Sequence, residues 1–129
     1  MKNTIYKIMI IDDDDDTRDI LSKHLSELYP QKLDIHTEDN GIDGLRILAE
    51  KKFDFILTDF LMPSMNGMEI ITDIRTGSTC NQATPILCIT GHLPMIDDKI
   101  PAHILTNTDF LEKPYQLEEF KSLTRQYLF

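Results

Sequence analysis

The chain has 129 residues, of which 41% are hydrophobic and 27% are charged, and this composition is typical of one globular domain spanning residues 1–129. Its 13 basic and 22 acidic residues give a formal net charge of −9, which argues against nonspecific binding to nucleic acid. No apolar run approaches the roughly 20 residues that span a bilayer, and the first apolar run is too short for a signal peptide, so we expect a cytoplasmic protein without membrane contact.

Apolar runs alternate with stretches of helical periodicity along the chain. In chain order, the pattern predicts strand 6–11, helix 16–29, strand 33–37, helix 41–51, strand 53–58, helix 66–75, strand 86–90, a short strand 110–111 and helix 116–129. This alternation is typical of an α/β protein with a parallel sheet and helices on both faces. Five strands favour the flavodoxin-like, doubly wound order 2-1-3-4-5, in which ligands bind where the first and third strands end.

The stretch between Thr90 and Phe110 departs from this regular alternation. Pro94 suits the first turn of a helix, but Pro101 disfavours a helical conformation at Ile100 and should end the helix there. The sequence therefore predicts a fourth helix that is short, at most about two turns, or irregular.

Polar side chains stand at the carboxyl ends of the predicted strands, which meet at one edge of a parallel sheet. Asp12 and Asp13 follow the first strand, Asp59 the third, Thr90 ends the fourth, and Lys113 follows the fifth. Three carboxylates held close together repel one another unless a cation joins them, and hard oxygen ligands suit Mg²⁺. A carboxylate can also act as a nucleophile in phosphoryl transfer, while a lysine and a hydroxyl neutralise phosphoryl oxygens. The pattern therefore predicts an Mg²⁺-dependent phosphoacceptor site.

Four stretches of the chain resemble the receiver domains of two-component response regulators, and the resemblance extends over essentially the whole length. These stretches are IMIIDDDDDTRDIL, FDFILTDFLMPSMNG, TPILCITGH and DFLEKPY. The resemblance implies that Asp59 is the phosphoacceptor, and that Mg²⁺ is held by Asp12, Asp13, Asp59 and the backbone carbonyl of Leu61. One motif alone would be a weak signal, but the four occur in order and at fitting spacing.

The resemblance also assigns residues to catalysis and to a conformational switch. It implies that Lys113 and Thr90 assist the chemistry at Asp59, and that Thr90 and Phe110 are the switch hydroxyl and the switch aromatic. It further implies a cis peptide bond between Lys113 and Pro114.

By this resemblance we expect a stand-alone receiver that accepts its phosphoryl group from a sensor histidine kinase or a histidine phosphotransfer protein. It would then bind a downstream target protein, without direct contact with nucleic acid. It would not be an enzyme beyond catalysing its own phosphorylation and dephosphorylation. The roles of phosphorelay intermediate and of adaptor both stay open, because no part of the sequence identifies the target.

The five consecutive aspartates, residues 12–16, also raise the hypothesis of a calcium-binding loop. An EF-hand loop that starts at Asp12 would place Thr17 where glycine is needed and Lys23 where glutamate is needed, so that pattern fails. Residues 14–16 are interpreted as a solvated cap of the following helix, since carboxylates are favoured at helix N-termini.

A phosphatase is the rival enzymatic hypothesis. The stretch from Asp13 to Thr17 matches D-x-D-x-T, which resembles the nucleophile motif of haloacid-dehalogenase-type phosphatases. That nucleophile should close the first strand, where Asp12 stands instead, and the later acidic motif has no good match, since Asp97 and Asp98 lie between prolines. A module with this fold but without phosphorylation is disfavoured, because every expected site residue is present.

Overall fold

The structure is a computed structural model that describes residues 4–30, 32–91 and 100–128. Its centre is a five-stranded parallel sheet with the order β2-β1-β3-β4-β5, as the sequence predicts. The strands are β1 (Tyr6–Ile11), β2 (Leu33–Glu38), β3 (Phe55–Asp59), β4 (Ile86–Thr90) and β5 (Thr108–Glu112). The chain winds outward in opposite directions from the neighbouring strands β1 and β3. Their carboxyl ends therefore form the switch point of a doubly wound fold, where ligands bind.

Helices cover both faces of the sheet. Within the described residues they are α1 (Asp15–Leu28), α2 (Gly41–Glu50), α3 (Gly67–Thr76), α4 (Leu117–Leu128) and a short 3-10 helix (Ala102–Leu105). One core cluster packs α1 and α4 against the sheet, with Leu25 and Phe120 fully buried. The other packs α2 and α3 against the opposite face, with Ile70 and Ile71 fully buried. This two-sided burial explains the continuous apolar runs in the central strands.

Short polar side chains begin the first three helices. Asp14 caps α1 by accepting a hydrogen bond from the amide of Thr17 at 2.9 Å, and Asn40 caps α2 in the same way. Asn66 and Glu69 form a capping box at α3, in which each side chain accepts from the backbone amide of the other. These helices start at the edge of the sheet where the strands end, so their positive dipole ends lie at the same edge as the switch point.

Two strands, β3 and β5, begin two residues away from their predicted starts. β3 begins at Phe55 rather than at residue 53, because the amide of Phe53 donates to the side chain of Asn81 at 2.8 Å instead of to a neighbouring strand. β5 is longer than predicted and pairs in register with the whole of β4. It is an edge strand in which only Leu111 is buried and Glu112 is exposed, so its apolar signal in the sequence is limited to two residues.

The predicted fourth helix falls largely on residues 92–99, which lie outside the described residues. The description resumes at Ile100, and Pro101 precedes the 3-10 helix, whose Ile104 is buried in the core. That 3-10 helix was not predicted. Across the three described ranges, no helix combines the length and apolar character needed to cross a membrane.

Candidate functional site

The carboxyl ends of β1 and β3 bring three carboxylates together. One oxygen from each of Asp12, Asp13 and Asp59 lies within 4.8 Å of the others. In the part of the chain that the structure describes, no other group of three or more acidic, histidine or cysteine side chains is arranged to hold a metal. Asp12 is 2% exposed, Asp59 is half-buried and Asp13 is exposed. The cluster therefore has a buried wall and a side that is open to solvent.

The protein alone makes full ionisation of this cluster unfavourable. Burial raises the pKa of Asp12 from 3.8 to about 6, and the nearby Asp59 and Asp13 carboxylates contribute to this rise. Against it, the amide of Asp14 donates to Asp12 Oδ1 at 2.9 Å. Burial also raises the pKa of Asp59, opposed chiefly by Lys113, whose Nζ atom lies 3.9 Å from Asp59 Oδ1. A cation bound among the carboxylates would relieve their repulsion.

Backbone contacts in the connection between β3 and α3 fix the orientation of Asp59. The amide of Phe60 donates to Asp59 Oδ1 at 2.8 Å, and the amide of Gly67 donates to the carbonyl of Phe60 at 2.7 Å. A Cβ atom at Gly67 would lie 2.9 Å from the Cα atom of Phe60 and 3.1 Å from the Sγ atom of Cys88. The glycine therefore lets α3 begin close against β3.

Two residues, Asp14 and Arg18, hold the loop that carries Asp12 and Asp13. Asp14 caps α1 with its carboxylate and donates its amide to Asp12, as described above. Arg18 donates to the backbone carbonyl of Asp12 at 2.5 Å and pairs with the carboxylate of Asp15. The last three aspartates of the run thus belong to the start of α1, which confirms their interpretation as a helix cap.

Thr90 and Lys113 close the other side of the site. Thr90 is fully buried, and its backbone carbonyl accepts from the amide of Lys113 at 2.7 Å. The Lys113–Pro114 bond is cis, as the resemblance implies. Phe110 pairs in register with Cys88, two residues before Thr90, so Phe110 and Thr90 project from the same face of the sheet. The two switch candidates are therefore diagonal neighbours on adjacent strands.

The structure brings together most of the site residues that the sequence predicts. The three carboxylates meet, and Lys113 lies beside them. Leu61 follows Asp59 by two residues and is 61% exposed, and the role of its carbonyl stays a prediction. The sequence does not predict the contact of Arg18 with Asp12, because a basic residue six positions after an aspartate is not a recognised motif. The contact arises only when the first turn of α1 brings the guanidinium back to the end of β1.

The donor set suits a small, hard divalent cation. The group consists of three aspartates, with no histidine or cysteine of the kind that zinc prefers. Mg²⁺ is commonly bound through one or two carboxylates and keeps several water molecules. The solvent-exposed side of the cluster, near Asp13, leaves room for them. The residues that are present therefore fit Mg²⁺.

A known protein family matches most of this chain. The family model of the response regulator receiver domain matches residues 8–125, which is most of the chain. The chain belongs to this family. The resemblance carried by the four sequence motifs is thus confirmed, and so is the flavodoxin-like fold class. Response regulator receiver domains serve signal transduction and phosphorelay in two-component systems.

Curated relatives of this receiver domain are response regulators of greater length. The response regulator ArlR of Staphylococcus saprophyticus is 31% identical over 122 residues, which cover 95% of this chain and 52% of the relative. The transcriptional regulatory protein CusR of Escherichia coli strain K12 is 29% identical over 122 residues, covering 95% of this chain and 51% of the relative. The receiver domain therefore spans about half the length of the curated relatives it matches.

Solved structures share the fold of this receiver domain over nearly its whole length. Chemotaxis protein CheY4 of Vibrio cholerae superposes with a TM-score of 0.81 at 25% identity, covering 97% of this chain and 100% of that chain. The receiver domain of the sensor histidine kinase PA1611 of Pseudomonas aeruginosa, whose structure has magnesium in its active site cleft, superposes with a TM-score of 0.78 at 20% identity, covering 96% and 98%. At that identity the second likeness concerns the fold alone.

Proposed function

We propose that this receiver domain is a phosphoacceptor signalling switch in which Asp59 takes up the phosphoryl group in the presence of Mg²⁺. The observation that carries the proposal is the meeting of the Asp12, Asp13 and Asp59 carboxylates within 4.8 Å of one another. An oxygen of Asp59 attacks the phosphorus of a phosphohistidine or of an acyl phosphate. The new O–P bond forms as the P–N or P–O bond of the donor breaks, and the donor leaves with that electron pair.

The proposed metal ligands are Asp12, Asp13, Asp59 and the backbone carbonyl of Leu61. When bound, Mg²⁺ supplies positive charge that offsets the carboxylates and the phosphoryl oxygens. The protein's own part is to hold the ligands in place. The amide of Asp14 orients the Asp12 carboxylate, and the amide of Phe60 orients Asp59.

Lys113 and Thr90 are the proposed partners of the other phosphoryl oxygens. The Lys113 ammonium, which is paired with Asp59, can transfer its contact to a phosphoryl oxygen on that carboxylate. The Thr90 hydroxyl is then drawn toward the phosphoryl group, and Phe110 moves into the space beside it. Support for this coupling comes from the diagonal relation of the two residues on one face of β4 and β5. It is a two-state shift that requires different contacts in each state.

The proposed partners of this domain are proteins. A sensor histidine kinase or a histidine phosphotransfer protein would donate the phosphoryl group, and a downstream target protein would recognise the phosphorylated state. A net charge of −9 opposes attraction to nucleic acid phosphates, so we propose no direct nucleic acid contact for residues 1–129. We further propose that the domain acts in the cytoplasm and catalyses only its own phosphorylation and dephosphorylation, either as a relay or as an adaptor.

Acetyl phosphate with Mg²⁺ tests the proposal without a cognate kinase. The wild-type protein should gain one phosphoryl group that is labile to hydroxylamine, as an acyl phosphate is, and intact-mass measurement should detect it. Asp59→Asn should abolish the modification, whereas Asp73→Asn, on the exposed part of α3, should leave it unchanged. Undiminished labelling of Asp59→Asn would refute the assignment of the phosphoacceptor. Rapid turnover of assorted phosphomonoesters would instead favour the phosphatase hypothesis.

A further inference from the structure

Arg18 makes two contacts with the start of its own helix and with the end of β1. Its Nη1 atom donates to the backbone carbonyl of Asp12 at 2.5 Å, and its Nη2 atom donates to the carboxylate of Asp15. The Arg18 side chain is only 15% exposed, whereas that of Asp15 is 86% exposed. The contact with the carbonyl is therefore the better shielded of the two, and the exposed ion pair contributes little by itself.

The backbone carbonyl of Asp12 lies between the two residues of this loop that carry site carboxylates. It belongs to the peptide unit that joins Asp12 to Asp13, so the orientation of this unit sets the direction in which both carboxylates leave the backbone. The amide of Asp12 donates to the carbonyl of Glu38 at 3.1 Å, and its side chain accepts from Asp14. The guanidinium of Arg18 donates to the carbonyl of the residue, so its backbone amide, its carbonyl and its side chain all have hydrogen-bond partners.

We infer that Arg18 is a positioning residue of the magnesium site: its guanidinium fixes the Asp12–Asp13 peptide unit so that both carboxylates face Asp59. The inference rests on the proposed function, in which these three carboxylates hold Mg²⁺. Arg18 does not contact the metal or the phosphoryl group. It acts through Asp12, in the way that outer partners orient the direct ligands of other metal sites.

If Arg18 orients the ligands, its loss should change the Mg²⁺ affinity in the opposite direction to that expected from its charge alone. A positive charge close to a cation site repels the cation, so by Coulomb's law alone its removal should strengthen Mg²⁺ binding. If Arg18 instead orients the ligands, its removal should weaken binding, despite the relief of that repulsion. The direction of the change in affinity therefore separates the two effects.

The chain offers a matched control for this test. Arg46 pairs with Asp43 three residues earlier in the first turns of α2, just as Arg18 pairs with Asp15 in α1. Among the described contacts, the Arg46 side chain donates only to Asp43, so it has no link to the carboxylate cluster. Replacing Arg46 by alanine removes the same charge and an ion pair of the same spacing, but leaves the contact of Arg18 with the Asp12 carbonyl intact.

The experiment measures Mg²⁺ affinity by calorimetry on the full chain. Arg18→Ala should raise the Kd for Mg²⁺ roughly tenfold, the lower end of the effect of losing an outer partner at a metal site. Arg46→Ala should leave the Kd unchanged, and Arg18→Lys, which keeps the charge but has a single donor nitrogen in place of a planar guanidinium, should fall between. In metal-free protein, the amide of Asp14, which donates to the Asp12 carboxylate, should exchange its hydrogen faster in Arg18→Ala.

Unchanged or tighter Mg²⁺ binding in Arg18→Ala would overturn the inference while leaving the proposed function intact. Absence of Mg²⁺ binding in the wild-type protein would overturn the proposed function, and the inference with it. A metal-free melting curve shows whether Arg18→Ala is folded. Should it unfold, Arg18→Lys becomes the deciding variant, and its Kd must then exceed that of the wild type.

Discussion

The Nζ atom of Lys113 lies 3.9 Å from the Oδ1 atom of Asp59, and this ion pair joins the end of β5 to the end of β3. The Asp59 side chain is only 14% exposed, so the pair is partly shielded from water. Lys113 favours the ionised carboxylate while burial favours the neutral one, and the net effect is a raised pKa for Asp59. Lys113 therefore helps to keep the nucleophile charged.

Replacement of Lys113 by methionine should shift the pH dependence of phosphorylation. Because Lys113 lowers the pKa of Asp59, its loss lets burial raise that pKa further, and less of the nucleophile is ionised at a given pH. The half-maximal rate of labelling by acetyl phosphate in saturating Mg²⁺ should move to higher pH, and the maximal rate should fall. Lys23→Met on the exposed face of α1 is the control. A profile identical to wild type would mean that the ion pair is without effect on Asp59.

Asp12→Asn should change how the stability of the metal-free protein depends on pH. Folding raises the pKa of Asp12 from 3.8 to about 6, so the folded state binds a proton that the unfolded chain has released. The free energy of unfolding of the wild type should therefore fall relative to Asp12→Asn as the pH rises through this window. A shift of this size corresponds to about 3 kcal/mol at most. Urea titrations in the presence of chelator measure it, and parallel pH curves for the two proteins would contradict it.

Mg²⁺ should stabilise the folded protein by mass action, because it binds the native cluster and not the unfolded chain. At a free concentration roughly 100 times the Kd, the gain is about 2.7 kcal/mol. This should raise Tm by several degrees, at roughly 2–8 °C per kcal/mol. Asp13→Ala should remove most of the gain, whereas Asp15→Ala should keep it, because Asp15 lies on the helix start. Equal losses in the two variants would indicate diffuse screening rather than a site.

Gly67→Ala should destabilise the fold by about 1–3 kcal/mol, the usual cost of overpacking. The added methyl group would lie 2.9 Å from the Cα atom of Phe60, so the backbone that orients Asp59 has to move. Gly91→Ala is the control, since no atom of the described residues lies within 4 Å of a Cβ atom there. Thermal unfolding compares the two variants. The packing argument fails if both variants unfold at the wild-type temperature.

Thr90→Ala should separate phosphorylation from its consequence. Asp59 and the carboxylate cluster are unchanged in this variant, so acetyl phosphate should still label it. Without the hydroxyl, the phosphorylated protein lacks the contact that draws residue 90 inward, and the environment of Phe110 should stay as in the unphosphorylated state. NMR spectra of the Phe110 ring before and after phosphorylation report this. A full wild-type shift in Thr90→Ala would refute the proposed coupling.

The sequence predicts the sheet order and the carboxylate cluster well, for a physical reason. Long apolar runs mark strands that are buried on both faces, and the polar residues that end them must meet at one edge of a parallel sheet. The meeting of Asp12, Asp13 and Asp59 therefore follows from the strand order alone. The capping box of Asn66 and Glu69 can also be predicted from the sequence, because it depends only on the spacing of two nearby residues.

Features that depend on tertiary geometry could not be predicted in the same way. The late start of β3 arises because Asn81, from a distant loop, takes the amide of Phe53. The contact of Arg18 with the Asp12 carbonyl depends on the angle at which α1 leaves β1. The length of β5 depends on pairing with β4, since an edge strand has little apolar signal of its own.

Side chains from helices on both faces of the sheet hold the start of β5. On one face, the buried guanidinium of Arg75 in α3 donates to the carbonyl of Asn107 at 3.1 Å and to the hydroxyl of Thr108 at 3.1 Å. On the other face, the hydroxyl of Tyr127 in α4 donates to the carboxylate of Asp109. Contacts from α3 and α4 thus hold residues 107–109, and Phe110 follows directly after them. We therefore expect phosphorylation at Asp59 to move Phe110 and the residues after it, while residues 107–109 keep their contacts with α3 and α4.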